Sequence, residues 1–100
     1  MLLATSDLKR EYEVLGMVRG SEMKAVHAGK DITASIRKLF GGEVGEYAEL
    51  LQEARDGALA EMEAEAEKLD ADAVIEVRFA TSTITSGAAE IVAYGTAVKF

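Results

Sequence analysis

His27 is the one imidazole in a chain of 100 residues that contains no cysteine. Heavy, soft metals are held by sulfur or imidazole, so His27 is the metal candidate, and it stands alone. It sits in a glycine-bounded loop, where a single imidazole is more often a capping or solvent-facing residue. A ring of identical subunits would multiply it, provided it faced the axis. Lys30-Asp31 opens a short helical segment, and the exposed amides of a first turn can bind an anion. An N-cap with a neighbouring salt bridge explains the same pair. Glu61 and Glu65 lie one helical turn apart. Two carboxylates so placed can hold a ligand at a subunit contact or share acid–base work. They are also what results when a helix end reaches past its sheet into water. Lys30, Asp31, Glu61 and Glu65 are therefore the ligand-binding candidates, and no residue qualifies as catalytic. The chain has no GxGxxG, P-loop or His-Glu-x-x-His sequence, and no nucleophile elbow surrounds a serine.

The element that positions the two glutamates is the stretch Glu46–Leu69. With Tyr47 at zero and about 100° per residue, Tyr47, Leu50, Leu51, Ala54, Ala58, Met62 and Leu69 fall on one stripe, with Ala66 at its edge. Glu46, Glu49, Glu53, Asp56, Glu63 and Glu67 fall opposite. The spacing predicts one long amphipathic helix. Glu65 lands inside the stripe, and Glu61 lies near its edge. Gly57, among Ala54, Ala58 and Ala60, makes a stretch of small side chains where a strand or helix can approach. Asp70–Asp72 closes the helix, with an aspartate available for a left-handed turn.

Upstream, Leu2–Thr5 reads as a short edge strand and Asp7–Arg10 as a polar turn. Tyr12–Met23 reads as a strand with apolar side chains on both faces. Gly16 and Gly20 within it point to a bulge or a close backbone approach. Asp31 to Phe40 reads as a short helix ended by Gly41-Gly42. Downstream, Ala73–Thr81 is a strand with Ile75, Val77 and Phe79 expected on one face and Glu76 and Arg78 on the other. Ser82–Ala88 reads as a turn-rich loop. Glu90–Phe100 is the last strand, with Ile91, Ala93, Gly95 and Ala97 on one face and Val92, Tyr94, Thr96, Val98 and Phe100 on the other. The short connection makes these two strands an antiparallel hairpin.

Composition narrows the function classes. The length suits one domain, residues 1–100. The net charge is −7, and the long helix carries most of it: eight acids against two bases in Glu46–Leu69. Lys24–Lys38 is the opposite, with four bases and one acid. An acidic helix repels phosphate backbones, and four bases make a small nucleic-acid footprint. No apolar run approaches the ~20 residues that cross a bilayer. The opening residues do not form a signal peptide. Nucleic acid and membrane are not expected partners, and the cytoplasm is the expected compartment.

Taken together, Gly29-Lys30-Asp31, Gly41-Gly42-Glu43, Tyr47, Ala54-Arg55, Met62, Leu69, Ala71-Asp72-Ala73-Val74, Arg78-Phe79 and Gly95-Thr96-Ala97-Val98 resemble the YbjQ-like family, which is often labelled a heavy-metal-binding domain. The resemblance spans Tyr12 to Val98. It implies a two-layer α+β fold, β-α-β-β in outline and similar to a dodecin subunit. A short helix would precede the long amphipathic one, which packs on a small sheet. It also implies a homopentamer. Lys30 stands where the family usually has arginine, which weakens a bidentate anion role. Asp70 replaces a helix-ending glycine, and Glu76 replaces a small residue. The resulting expectation is a homo-oligomeric binding or scaffold protein rather than an enzyme, with a metal or small ligand bound at subunit interfaces and a metal ion as the one candidate cofactor. The competing expectation is a small hydrolytic or acid–base enzyme using interface carboxylates.

Overall fold

The structure is a computed structural model that describes residues 1–25, 44–85 and 88–100. Among these residues four strands and one helix follow in order: β1 (Leu2–Leu3), β2 (Glu13–Ala25), α1 (Val44–Lys68), β3 (Ala73–Thr85) and β4 (Ala88–Lys99). The strands form one mixed sheet in the order β1-β3-β4-β2. β1 runs parallel to β3, while β4 is antiparallel to both β3 and β2. The architecture is the α+β arrangement expected, with one helix layer on one sheet. The short helix and Gly41-Gly42 lie outside the described residues.

α1 buries a row spaced by four: Ala54, Ala58, Met62 and Ala66 are all fully buried. At 3.6 residues per turn such a row drifts by about 40° per step. By the last turn the contact line has therefore moved from the Glu65–Leu69 side of the stripe onto Ala66. Leu69 is accordingly 44% exposed. The row packs on Val18, Val74, Val77, Ile91, Ala93 and Ala97.

Two glycines of β2 have different duties. Gly16 takes φ +146 where the β2–β4 register slips, and it forms a bulge. Gly20 lies beneath the helix, and a Cβ there would meet the Ala58 carbonyl and the Met62 amide. This is the close approach that the run of small residues permits. Gly57 does the same from the helix side, because the Glu22 side chain occupies the space a Cβ would take.

β3 departs from strict alternation. Glu76 adopts φ 55, and the β3–β4 register shifts between Ile75 and Arg78. A bulge moves one residue out of the two-residue period. Ile75 therefore does not share a face with Val77. It packs with Ala73 and Val98 on the side away from α1, where Leu8 and Tyr12 cover it. Arg78 braces the bulge by donating to the Thr5 carbonyl at 2.7 Å and to Glu76 Oε2 at 3.3 Å. β3 and β4 also run further than expected. The strands reach Thr85 and begin again at Ala88, so most of the expected Ser82–Ala88 loop is strand. The β-branched run Thr81, Thr83, Ile84 and Thr85 accounts for it.

The end of α1 is a Schellman turn. The Ala71 amide donates to the Ala66 carbonyl at 3.1 Å and the Asp70 amide to the Glu67 carbonyl at 2.9 Å. Asp70 itself sits at φ 60. An aspartate thus fills the left-handed position that glycine fills elsewhere. Lys99 secures it by donating to the Asp70 carbonyl at 3.0 Å and to its carboxylate at 3.1 Å. The Lys99 amine is held above the usual lysine range, first by that carboxylate hydrogen bond.

Candidate functional site: a groove beside the free edge of β2

α1 rests mainly on β2, less on β4 and scarcely on β3. Because β2 is an edge strand, the helix overhangs it. A groove of about 630 Å³ opens between Met17–Ser21 on the strand and Glu61, Glu65, Lys68 and Leu69 on the helix. The fold thus brings Glu61 and Glu65 to one site, as their one-turn spacing implies. Both carboxylates are exposed, and Glu65 accepts a hydrogen bond from Lys68 Nζ at 3.1 Å. The Met17–Ser21 segment of β2 forms the facing wall, a juxtaposition that depends on which strand the helix crosses. Local spacing carries no sign of it. Lys30, Asp31 and His27 lie outside the described residues.

The arrangement offers the carboxylates of α1, the Lys68 amine and main-chain groups of β2 in an open cleft. It does not form a buried acid–base pair, since water reaches both carboxylates and would screen them.

The second exposed feature is the face of the sheet turned away from α1. Leu8 and Tyr12 cover its lower end. Above them Val14 is 60% exposed and Met17 is 72% exposed, with Tyr94 also open to solvent. Arg19 and Arg78 flank Tyr94 in register on the two neighbouring strands. Phe100, at the end of the chain, lies under the Arg10 guanidinium at 3.6 Å from the ring centre. Its amide donates to Asp72 Oδ2 at 2.8 Å. Among the described residues no helix is long and apolar enough to cross a membrane.

One helix on a four-stranded mixed sheet, with several exposed apolar side chains on its outer face and an open edge groove, is the frame of a small α+β domain. The chain belongs to the YbjQ_1 family, whose model is described as "Putative heavy-metal-binding" and matches residues 1–100. It is 52% identical to a UPF0145 protein of Methanosarcina acetivorans over 99% of this chain and 96% of that protein. It is 53% identical to a UPF0145 protein of Thermotoga petrophila over the same shares of the two chains. In fold it is similar to a protein of unknown function of the DUF74 family from Pediococcus pentosaceus. The TM-score is 0.67 at 18% identity, covering 100% of this chain and 97% of that one.

The donor chemistry of the described residues does not fit the metal in that family description. No group of three or more His, Cys, Asp or Glu among the described residues is placed to hold an ion. The groove carboxylates are hard oxygen donors, whereas heavy metals favour sulfur and imidazole.

Proposed function

We propose that this chain is a subunit of a ring-shaped homo-oligomer that acts as a binding or scaffold protein, with any ligand held where subunits meet. The observation that supports it is the outer sheet face, where Val14, Met17 and Tyr94 remain in water on one chain. Exposed apolar side chains gathered on one face mark a surface for interaction. A sheet with one covered face should alternate apolar with polar residues, and β2 and β4 do not. Packing of identical subunits about an axis would remove Tyr94 or Phe100 from solvent and give the sheet edges partners. Five is the number the family resemblance implies, and the argument from faces fixes none. The groove glutamates Glu61 and Glu65 are the ligand contacts this reading favours, because a neighbour could close over them. Acid–base work by Glu61 and Glu65 would need a polar pocket that shields them from water, and among the described residues the groove is open. The cytoplasm is the compartment this reading assigns.

Native mass spectrometry of the protein as purified tests the proposal, since one spectrum reports stoichiometry and any retained ligand or metal. The expected result is a single closed oligomer. A clean monomer at micromolar concentration overturns the reading.

A further inference from the structure

The two sides of the sheet differ in complementary ways. On the β3 side α1 barely reaches the sheet. Phe79 lies there in register with the buried Ala93, on the helix-facing side, yet it is 43% exposed. On the β2 side the helix extends past the strand and leaves the groove floored by Val18 and Gly20 and bordered by Leu69. Among the described residues, one edge has an apolar ring with no helix above it, and the other has a helix with no strand beneath its outer flank.

The main chain shows the same match. Among the described residues β2 is paired along one side only, with β4. β3 is paired on its outer side by β1 and the residues just after it, which reach as far as the bond from the Val77 amide to the Ala4 carbonyl. From Phe79 onward that side has no strand partner among the described residues. Both β2 and β3 run antiparallel to β4, so they run parallel to each other. A second copy set beside the first with the same polarity brings its β3 edge to this β2 edge, and the sheet continues.

We propose that the groove beside β2 receives β3 of a second copy of this chain, with Phe79 of the partner subunit seated under α1 next to Leu69. This rests on the assembly proposed above. The joint gives both free edges hydrogen-bond partners and takes two half-exposed apolar side chains out of water together. It is heterologous, since different patches meet, and it closes into a ring when the rotation allows. The competing joint, β2 against β2 about a two-fold axis, would bring the Glu61 and Glu65 overhangs of two copies together. Like charges would then face each other across the contact. The stretch Phe79–Thr83 carries no charge, so the β3 joint avoids that repulsion.

The absence of cysteine makes the test direct. Ser21 on β2 and Ser82 on β3 are both exposed and both lie away from α1. Ser21→Cys and Ser82→Cys are made singly and together, and each protein is treated with a short bismaleimide and run on a denaturing gel. The expected result is no cross-linked dimer from either single variant. The two variants refolded together should give a covalent dimer, and the double variant a ladder that stops at the ring size. Phe79→Asp should reduce the light-scattering mass to that of a monomer with an unchanged circular dichroism spectrum, while Phe79→Leu keeps the full mass. Cross-linking of Ser21→Cys alone overturns the joint in favour of β2 against β2. An oligomer by light scattering that gives no cross-link in any combination also overturns the joint but leaves the assembly standing. A monomeric wild type overturns both.

Discussion

Gly20 lies directly beneath the Ala58 carbonyl, so that a Cβ on the strand would collide with the main chain of the helix. The obstruction is backbone on both sides, because the Met62 amide is also in the way. Neither can rotate aside as a side chain would. Gly20→Ala must push α1 off β2 and is expected to cost about 1–3 kcal/mol or more, read as a lower urea midpoint. Gly57→Ala meets only the flexible Glu22 side chain and should cost less. Equal losses in the two variants would show that the helix–strand distance is not fixed at Gly20.

The core makes a second comparison possible. Met62 is completely buried, whereas Leu51 is half-buried at the margin of the cluster. Met62→Ala should cost about 2–5 kcal/mol, the range for a buried side chain that leaves a cavity. Leu51→Ala, whose site is partly wet, should fall below it. Chemical denaturation of both variants gives the order, and a larger loss for Leu51→Ala would mean the contact line of α1 runs elsewhere.

These residues also show what could be read in advance. The stripe Ala54, Ala58, Met62 is local and periodic, so the helix and its buried face were visible in the sequence. Gly16 and Gly20 signalled a bulge or a close approach, and each supplies one of the two. Glu76 gave no such signal. A glutamate at φ 55 is costly for a residue with a Cβ, and nothing in its identity announces a bulge. The reading that put Ile75 beside Val77 therefore failed at that one residue. The pairing of Glu61 with Glu65 followed from helical spacing. Their meeting with the Met17–Ser21 segment of β2 depends on α1 crossing the edge strand, a relation between distant segments that no local pattern encodes.

Asp70 yields a third prediction. It holds the left-handed position of the Schellman turn, which costs a non-glycine residue about 1–2 kcal/mol. Asp70→Gly removes that strain and keeps the carbonyl that accepts from Lys99. The lost partner is a carboxylate almost wholly in solvent, where ion pairs contribute little. Part of the gain is offset by the greater freedom of glycine in the unfolded chain. The net expectation is a stabilisation of about 0.5–1 kcal/mol, seen as a higher urea midpoint with an unchanged slope. A destabilised variant would show that the side chain matters more to the turn than the backbone angle.

The last prediction concerns pH and the Tyr12–Asp7 hydrogen bond. The Tyr12 hydroxyl donates to Asp7 Oδ1, which also accepts from the Leu8 amide at 2.7 Å. Tyr12 in turn covers Ala73, Ile75 and Val98, so the bond ties the segment before β2 to the sheet. The Tyr12 hydrogen bond, with the Leu8 amide, holds the Asp7 carboxyl below its usual 3.8. The same bond, with burial and the Asp7 charge, raises the Tyr12 phenol above its usual 10.0. A depressed acid contributes stability that is present above 3.8 and is lost as pH falls through the folded value. A raised phenol contributes stability that is present below 10.0 and is lost as pH rises through the folded value. The stability that wild type holds over Tyr12→Phe should therefore be flat across neutral pH and shrink at both extremes. Lys99 adds its own alkaline loss, because its amine is raised above 10.5 by Asp70. That contribution is common to wild type and Tyr12→Phe, so it cancels in their difference. Urea denaturation of the two proteins across the pH range provides the curve. Ultraviolet titration should show Tyr12 ionising late, and Asp7→Asn should bring it back toward the ordinary range, because the Asp7 hydrogen bond is the largest cause of the shift. A difference that stays constant into acid would show that Tyr12 does not hold Asp7 ionised.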